Sequence, residues 1–400
     1  MNEFTRRTFL SIAGAVATAS VLSTSVVSAQ SALGSTETQF GLGVESKAAR
    51  KKLDGSALKA LNHLFEKQII DGVHPGAQLT VRIQDETVFN RYGGWAITPS
   101  KCMELDTKML MFSATKPLGA ACVMMLVEEG YLELDTPLIH YWPAFSRGDS
   151  RKKGVTVRHV LTHQGGFPLG PSDFNYEEFN DSAEAMRAME RIELKYEPGT
   201  QYEYHPINYG WALGELVRRT SGMSVELFFN ERLVEPLGCI NMSLGVPPDE
   251  LDEISYMYRV NDRSHAIEIW NSPTVRMAPC VASSGHAPAE DLARFYDMIA
   301  RGGLTADGTR LLKKKTVKMM TTAQPIEKTG ELTEYGLGFG ISADEGRMDY
   351  YGHGGSSSSF GRHDPSRKMT VAFITNGHQD PDIHEERMDS IWSACQALVG

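Results

Sequence analysis

From Ser56 to Ile70 the apolar residues Leu58, Leu61, Leu64, Phe65 and Ile69 recur at the spacing of one helix face, and Gly72 supplies a stop. Ala77, Leu79, Val81 and Ile83 then alternate with polar residues, and Thr87–Tyr92 follows a short polar turn. That alternation predicts a hairpin with one face in water. Residues 117–130, PLGAACVMMLVEEG, predict an apolar helix ended by Gly130. Residues 156–164, TVRHVLTHQ, predict a short helix closed by Gly165-Gly166. Between about 150 and 285 helices and loops dominate, with Tyr209–Thr220 and Val225–Leu233 the clearest. Pro288–Ala300 places Leu292, Phe295 and Ile299 on one face. Strand character returns at Tyr335–Ile341, Asp349–Gly352 and Thr370–Thr375, before a last helix over His384–Leu398. Strands at both ends with helices between predict an α+β chain whose termini build one sheet together, with the middle as a helical lobe against it.

The first residues do not belong to that pattern. Arg6-Arg7 precede an uncharged stretch from Phe9 to Val27, and Val27-Ser28-Ala29 has the small residues of a cleavage site. The twin arginine with Thr8-Phe9-Leu10 resembles a Tat export signal over residues 1–29. Gly, Ala, Ser and Thr dilute the stretch, which weighs against a retained membrane anchor, and no cysteine follows it to take a lipid. A bacterial periplasm or secretion is the expected destination, with the Tat machinery as a partner. The chain has 400 residues, 41% hydrophobic and 22% charged, an ordinary globular composition. Forty Lys+Arg against fifty Asp+Glu leave a formal charge of −10, so no global basic footprint for nucleic acid exists. Five scattered cysteines, 102, 122, 239, 280 and 395, lack metal or redox spacing; one or two disulfides are allowed and none can be paired.

A nucleophilic serine needs a base for its proton and donors for the developing oxyanion. No serine here carries glycines at the offsets of the GxSxG elbow. The alternative, Ser-x-x-Lys, puts both groups on one side of a helix start, where the dipole favours a negative oxygen and burial lowers the lysine pKa. It occurs three times. Ser56–Lys59 opens an amphipathic helix with Lys59 read as solvated, and Ser150–Lys153 lies in a charged loop unsuited to desolvating a lysine. Ser113-Ala114-Thr115-Lys116 follows apolar MLMF and leads into the apolar helix, so only this copy has the required shielding.

The segment LMFSATKPLGAACVMMLVEEGYLELDTPL resembles the nucleophile region of the serine β-lactamase and penicillin-binding-protein superfamily, especially its class C and esterase branch. TVRHVLTHQGGFP, PGTQYEYHPINYGWALGELVRRTSG, SSGHAPAEDLARFYDMIARGG, YGLGFGI and YGHGGSSSSFGRHDPSRKMTVAFITNG are similar to the family's later landmarks, in its order, over roughly residues 70–380. The resemblance implies a β-lactamase/transpeptidase-like α/β sandwich. Its antiparallel sheet flanked by helices would come from residues 30–110 together with 285–400, and a mostly helical lobe from residues 111–284. It further implies Ser113 as acyl-accepting nucleophile, Lys116 as its proton partner and Tyr204 as a phenolic base and acid that the lysine draws toward ionisation. Pro206 stands where the family's Tyr-x-Asn motif has asparagine, which removes a donor for a substrate amide. His353-Gly354-Gly355 replaces Lys-Thr-Gly, with the glycines allowing close approach of the strand and the Ser356 and Ser113 amides as oxyanion donors. A histidine there is mostly neutral at neutral pH, which disfavours a substrate held by a free carboxylate.

Each assignment has a plainer alternative. Tyr202 and Tyr209 match Tyr204 by residue type, His353 could merely orient its strand, and Ser356–Ser359 could be an ordinary turn. His159 and His163, four apart, lack a third ligand, so no metal is expected, and the chemistry needs no cofactor. The methionines 109, 111, 124 and 125 are read as core that also renders the pocket apolar. The expectation is an exported serine hydrolase, an esterase by preference, acting on a small-molecule ester or peptide. The alternatives are a peptidase for unusual peptides (D-residue, peptidoglycan-derived or linearised cyclic), a β-lactamase, or a non-catalytic binding domain.

Overall fold

The computed structural model describes residues 38–169, 179–260, 266–344, 347–356 and 358–399, so the export signal read over residues 1–29 lies outside the described residues. Its main sheet is antiparallel and runs β1-β3-β2-β12-β11-β10-β9. The strands are β1 (Phe40–Leu42), β2 (Gly76–Ile83), β3 (Glu86–Thr98), β9 (Gly340–Asp344), β10 (Arg347–Gly355), β11 (Ser359–Asp364) and β12 (Met369–Thr375), with β4 (Lys101–Cys102) paired to β3. The join between the chain's two ends is the β2–β12 ladder, where Leu79 faces Phe373 and Val81 faces Val371. Helix α1 (Gly55–Ile70) lays Leu58, Leu61, Phe65 and Ile69 on one side of the sheet. The last helix of the chain (Pro381–Gln396) adds Met388, Ile391 and Trp392 to the same cluster. Full burial of such side chains is worth roughly 1.5–3 kcal/mol each.

The opposite face of the sheet is covered too, contrary to the one-wet-face expectation for β2 and β3. Gln78 and Thr80 are buried although polar. The Gln78 side-chain oxygen Oε1 accepts the Ala289 N–H at 2.8 Å, and Thr80 Oγ1 donates to Asn90 Oδ1 at 3.1 Å. The first of these satisfies a free amide at the start of the helix over Ala289–Ala300, which packs there. Alternation therefore reported two different coverings, one apolar and one hydrogen-bonded.

Helix α2 (Lys116–Glu128) is buried around most of its circumference, as its continuous apolar sequence demands. In the middle of the chain, α3 (Val157–Leu161) and α4 (Ser182–Arg191) pack on α5 (Asn208–Ser221), which packs on α2. The helices Ala289–Ala300 and Pro381–Gln396 are then α6 and α7. Three short strands, β5 (Met109–Leu110), β6 (Ser243–Leu244) and β8 (Gly285–Ala287), form a second sheet ordered β5-β8-β6 beside the start of α2. A parallel pair, β7 (Tyr258–Arg259) with β13 (Gly377–His378), ties the middle of the chain to the main sheet's end.

Two further readings differ. The YGLGFGI segment is a strand only from Gly340, because Gly338 (φ +88°) presses against α2: a Cβ there would lie 2.3 Å from Ala120 Cβ. The serine run is not wholly a turn, since Ser359 opens β11. All five cysteines are free, and Cys122 is core. Among the described residues no helix is long and apolar enough to cross a membrane.

Candidate active site

Strand β5 pairs with β8 and delivers the chain to Phe112, whose φ of +48° is uncommon for a bulky residue. The strain is held by partners on several sides. The Met111 amide donates to the Gly285 carbonyl at 2.9 Å, and the Met111 carbonyl accepts from Ser359 Oγ at 2.8 Å. Thr115 Oγ1 donates to the Phe112 carbonyl at 2.6 Å and accepts the Gly285 amide at 3.0 Å. Ser113 thus sits in a 3-10 turn (Phe112–Thr115) rather than inside the α-helix, and Lys116 is the first residue of α2. Residues three apart eclipse in such a turn, which puts Lys116 Nζ 3.2 Å from Ser113 Oγ.

Lys116 is wholly buried and also donates to the carbonyls of Pro206 at 2.8 Å and Ala282 at 3.1 Å. Burial pushes its pKa down to about 7, opposed only partly by Cys280. Its uncharged form is therefore accessible near neutral pH. A neutral amine keeps two N–H groups, enough for the two carbonyls, and turns its lone pair to the Ser113 hydroxyl. The backbone at Pro206 therefore still serves the lysine although the side chain departs from the family's asparagine.

Of the three tyrosines, position selects Tyr204. Lys116 Nζ lies 4.8 Å from its ring centroid and 5.6 Å from that of Tyr209, whose hydroxyl is turned toward the Lys116 carbonyl at 3.5 Å. The ionisation expected for Tyr204 does not survive the geometry. Burial raises its pKa strongly, and a hydrogen bond with Ser113 only partly opposes this. A phenol in that state keeps its proton at neutral pH.

His353 lies two residues from the end of β10, its Nδ1 2.6 Å from the Gly354 carbonyl and its ring 5.9 Å from that of Tyr204. Burial, with Lys116 adding to it, pulls its pKa down to about 3, so it is neutral at every working pH. Gly354 and Gly355 pair with Phe360 and Ser359. A Cβ on Gly355 would lie 2.0 Å from the Met111 carbonyl oxygen, so this glycine is what lets the strand end touch the turn that carries Ser113. Ser356 follows directly in the turn to β11.

The other Ser-x-x-Lys copies leave Lys59 and Lys153 exposed. The loop around Ser150 does bury a lysine, however: Lys152, not Lys153, is fully enclosed. His159 Nδ1 accepts the Thr156 amide at 3.2 Å and its Nε2 pairs with Glu327, so it and His163 serve separate places. Among the described residues no group of His, Cys, Asp and Glu is arranged to hold a metal ion.

Other members of the site escaped the sequence reading. The methionines 109, 111, 124 and 125 are deep core and do not line a pocket. Next to Ser113, Phe112 meets Trp270 edge to face at 5.2 Å in a small apolar cluster with Leu110 and Met257. The carbonyls of Pro206 and Ala282 are main-chain groups, invisible to motif reading. His163, considered only for metal, packs on Tyr204 at 4.6 Å.

The family model described as Beta-lactamase matches residues 61–396. The chain belongs to this family. Among its relatives is the esterase/beta-lactamase LipL of Mycobacterium tuberculosis, 27% identical over 337 residues, covering 75% of this chain and 77% of that protein. Among solved structures it resembles a family VIII carboxylesterase (TM-score 0.73, 25% identity, 90% of this chain and 100% of the other). A penicillin-binding-protein homologue from Caulobacter crescentus is comparable (TM-score 0.72, 25% identity, 90% and 100%).

Proposed function

We propose that this protein is an exported serine hydrolase that cleaves a carboxylic ester through a Ser113 acyl-enzyme. The observation that carries the reading is a buried lysine with no carboxylate partner among the described residues, 3.2 Å from a serine hydroxyl. Ser113 Oγ attacks the ester carbonyl while its proton passes to the Lys116 lone pair. The amides of Ser113 and Ser356 receive the oxyanion, a role that rests on the family resemblance. As the C–O bond breaks, the proton on Lys116 moves through the Tyr204 phenol to the departing alkoxide. Water then adds to the acyl-enzyme, gives up its proton along the same route, and releases the acid and Ser113.

Esters are favoured over substrates with a free carboxylate because His353 is uncharged where the family's β-lactamases carry a lysine. The likeness to a penicillin-binding-protein homologue supports a second reading, a peptidase for D-residue or other unusual peptides. Turnover of short-chain p-nitrophenyl esters, nitrocefin and D- and L-peptides, measured side by side, separates them; a peptide with a higher kcat/KM than every ester reverses the preference. Residues 1–29 support export by the Tat route, tested by localising Arg6→Lys/Arg7→Lys. Unchanged export of that variant would remove this part of the proposal.

A further inference from the structure

His163 closes the segment after α3 in the left-handed region, at φ +58°, without being glycine. Its own carbonyl accepts the Glu203 amide at 3.0 Å, and its Nδ1 accepts the His205 amide at 3.1 Å. The N–H groups of both neighbours of Tyr204 therefore end on one residue. Its ring, fully buried, packs on Tyr204 at 4.6 Å and is backed by Tyr335 at 4.6 Å and Tyr209 at 5.0 Å. We propose that His163 is a positioning residue that sets the Tyr204 phenol in the catalytic site. This rests on the reading above, in which Tyr204 passes the proton.

An acceptor at Nδ1 requires an unprotonated ring with its hydrogen on Nε2. Burial, reinforced by His205, Lys116 and His353, holds the His163 pKa well below the ordinary histidine value, so that form persists. The Nε2 side finds no partner among the described residues. A leucine would fill this space and remove the unpaired Nε2–H. What leucine cannot do is accept the His205 amide, and that bond is the physical use of a histidine here.

The test compares H163N, H163L, Y204F and H163L/Y204F in the full chain, with p-nitrophenyl ester turnover and thermal melts. Asparagine tolerates the left-handed backbone and places an acceptor at the reach of Nδ1; leucine keeps bulk and loses the acceptor. We expect H163L to lower kcat by about 10²-fold with KM changed by less than about threefold. H163N should recover at least about tenfold of that loss, and H163L/Y204F should be no slower than Y204F. If leucine prevents folding, H163Q takes its place, because its polar end lies one bond too far from the backbone; the same pattern is expected. The proposal is overturned if the acceptor-free variant turns over at the wild-type rate while Y204F is slow. It is equally overturned if asparagine rescues nothing, or if the double variant multiplies the two losses. Full turnover in Y204F would instead overturn the underlying assignment of Tyr204.

Discussion

Two lysines among the described residues are fully buried: Lys116 ends a Ser-x-x-Lys stretch, and Lys152 lies inside the one over Ser150–Lys153. Lys116 donates to the carbonyls of Pro206 and Ala282; Lys152 donates to those of Met189 at 3.2 Å and Glu190 at 2.7 Å, in the last turn of α4. Each stands over an aromatic ring, Tyr204 at 4.8 Å and Phe145 at 5.1 Å. Burial lowers both, Lys116 to about 7 and Lys152 to about 8, where Asp149 and Glu190 work in the opposite direction. The chemical difference lies in the third contact. Lys116 has a serine hydroxyl within reach, itself partly open to solvent, whereas Lys152 caps carbonyls at a helix C-terminus, where a cation belongs. Desolvation alone does not make a base; it needs a proton donor to act on and no anion to hold its charge.

The comparison breaks most visibly under substitution. Ser113→Ala and Lys116→Ala should each lower ester kcat/KM by about 10⁴-fold or more, together rather than additively, because the two act as one unit. Lys152→Met should leave kcat/KM within about threefold and reveal itself in the melting temperature instead, through two helix-end carbonyls left unpaired. A large loss of turnover in Lys152→Met would erase the distinction. Next in size, Tyr204→Phe should cost about 10²- to 10⁴-fold in kcat, read from steady-state kinetics. Gly355→Ala forces the strand end away from the Met111 carbonyl and should reduce both stability and turnover by moving the nucleophile turn. Wild-type heat stability with wild-type kinetics in that variant would show that the close approach is dispensable.

The smallest effect is on pH-dependent stability. Lys116 has its folded pKa depressed below the unfolded value of 10.5. Between about pH 7 and 10 the unfolded chain binds the extra proton, so unfolding free energy rises with pH over that window. Urea melts of wild type against Lys116→Met should show this slope in wild type alone; parallel profiles would mean that the buried lysine keeps its proton.

The lysine comparison also marks what the sequence could tell. An apolar run after Ser113 announced that Lys116 would be shielded, and ordered landmarks announced the sheet shared by both chain ends. Alternation in β2 located its strand but misjudged its polar face, because hydrogen bonds to α6 replace water there. Lys152 went unseen because its enclosure comes from the end of α4, at Met189 and Glu190, a helix the sequence pattern did not announce. The Pro206 and Ala282 carbonyls carry no side-chain signature, and the bonds from His163 to both neighbours of Tyr204 exist only after the loop has folded. Contacts made by main chain, or by backbone in an unusual conformation, are written in three dimensions.

The central claim is that burial makes Lys116 the base that activates Ser113. The most direct measurement is the rate of fluorophosphonate labelling at Ser113 across pH, followed by intact mass, in wild type and Lys116→Ala. A rate that rises with an apparent pKa near 7 and collapses in the variant is the predicted result. Labelling that rises only near pH 10, or that proceeds unchanged without the lysine, would contradict it.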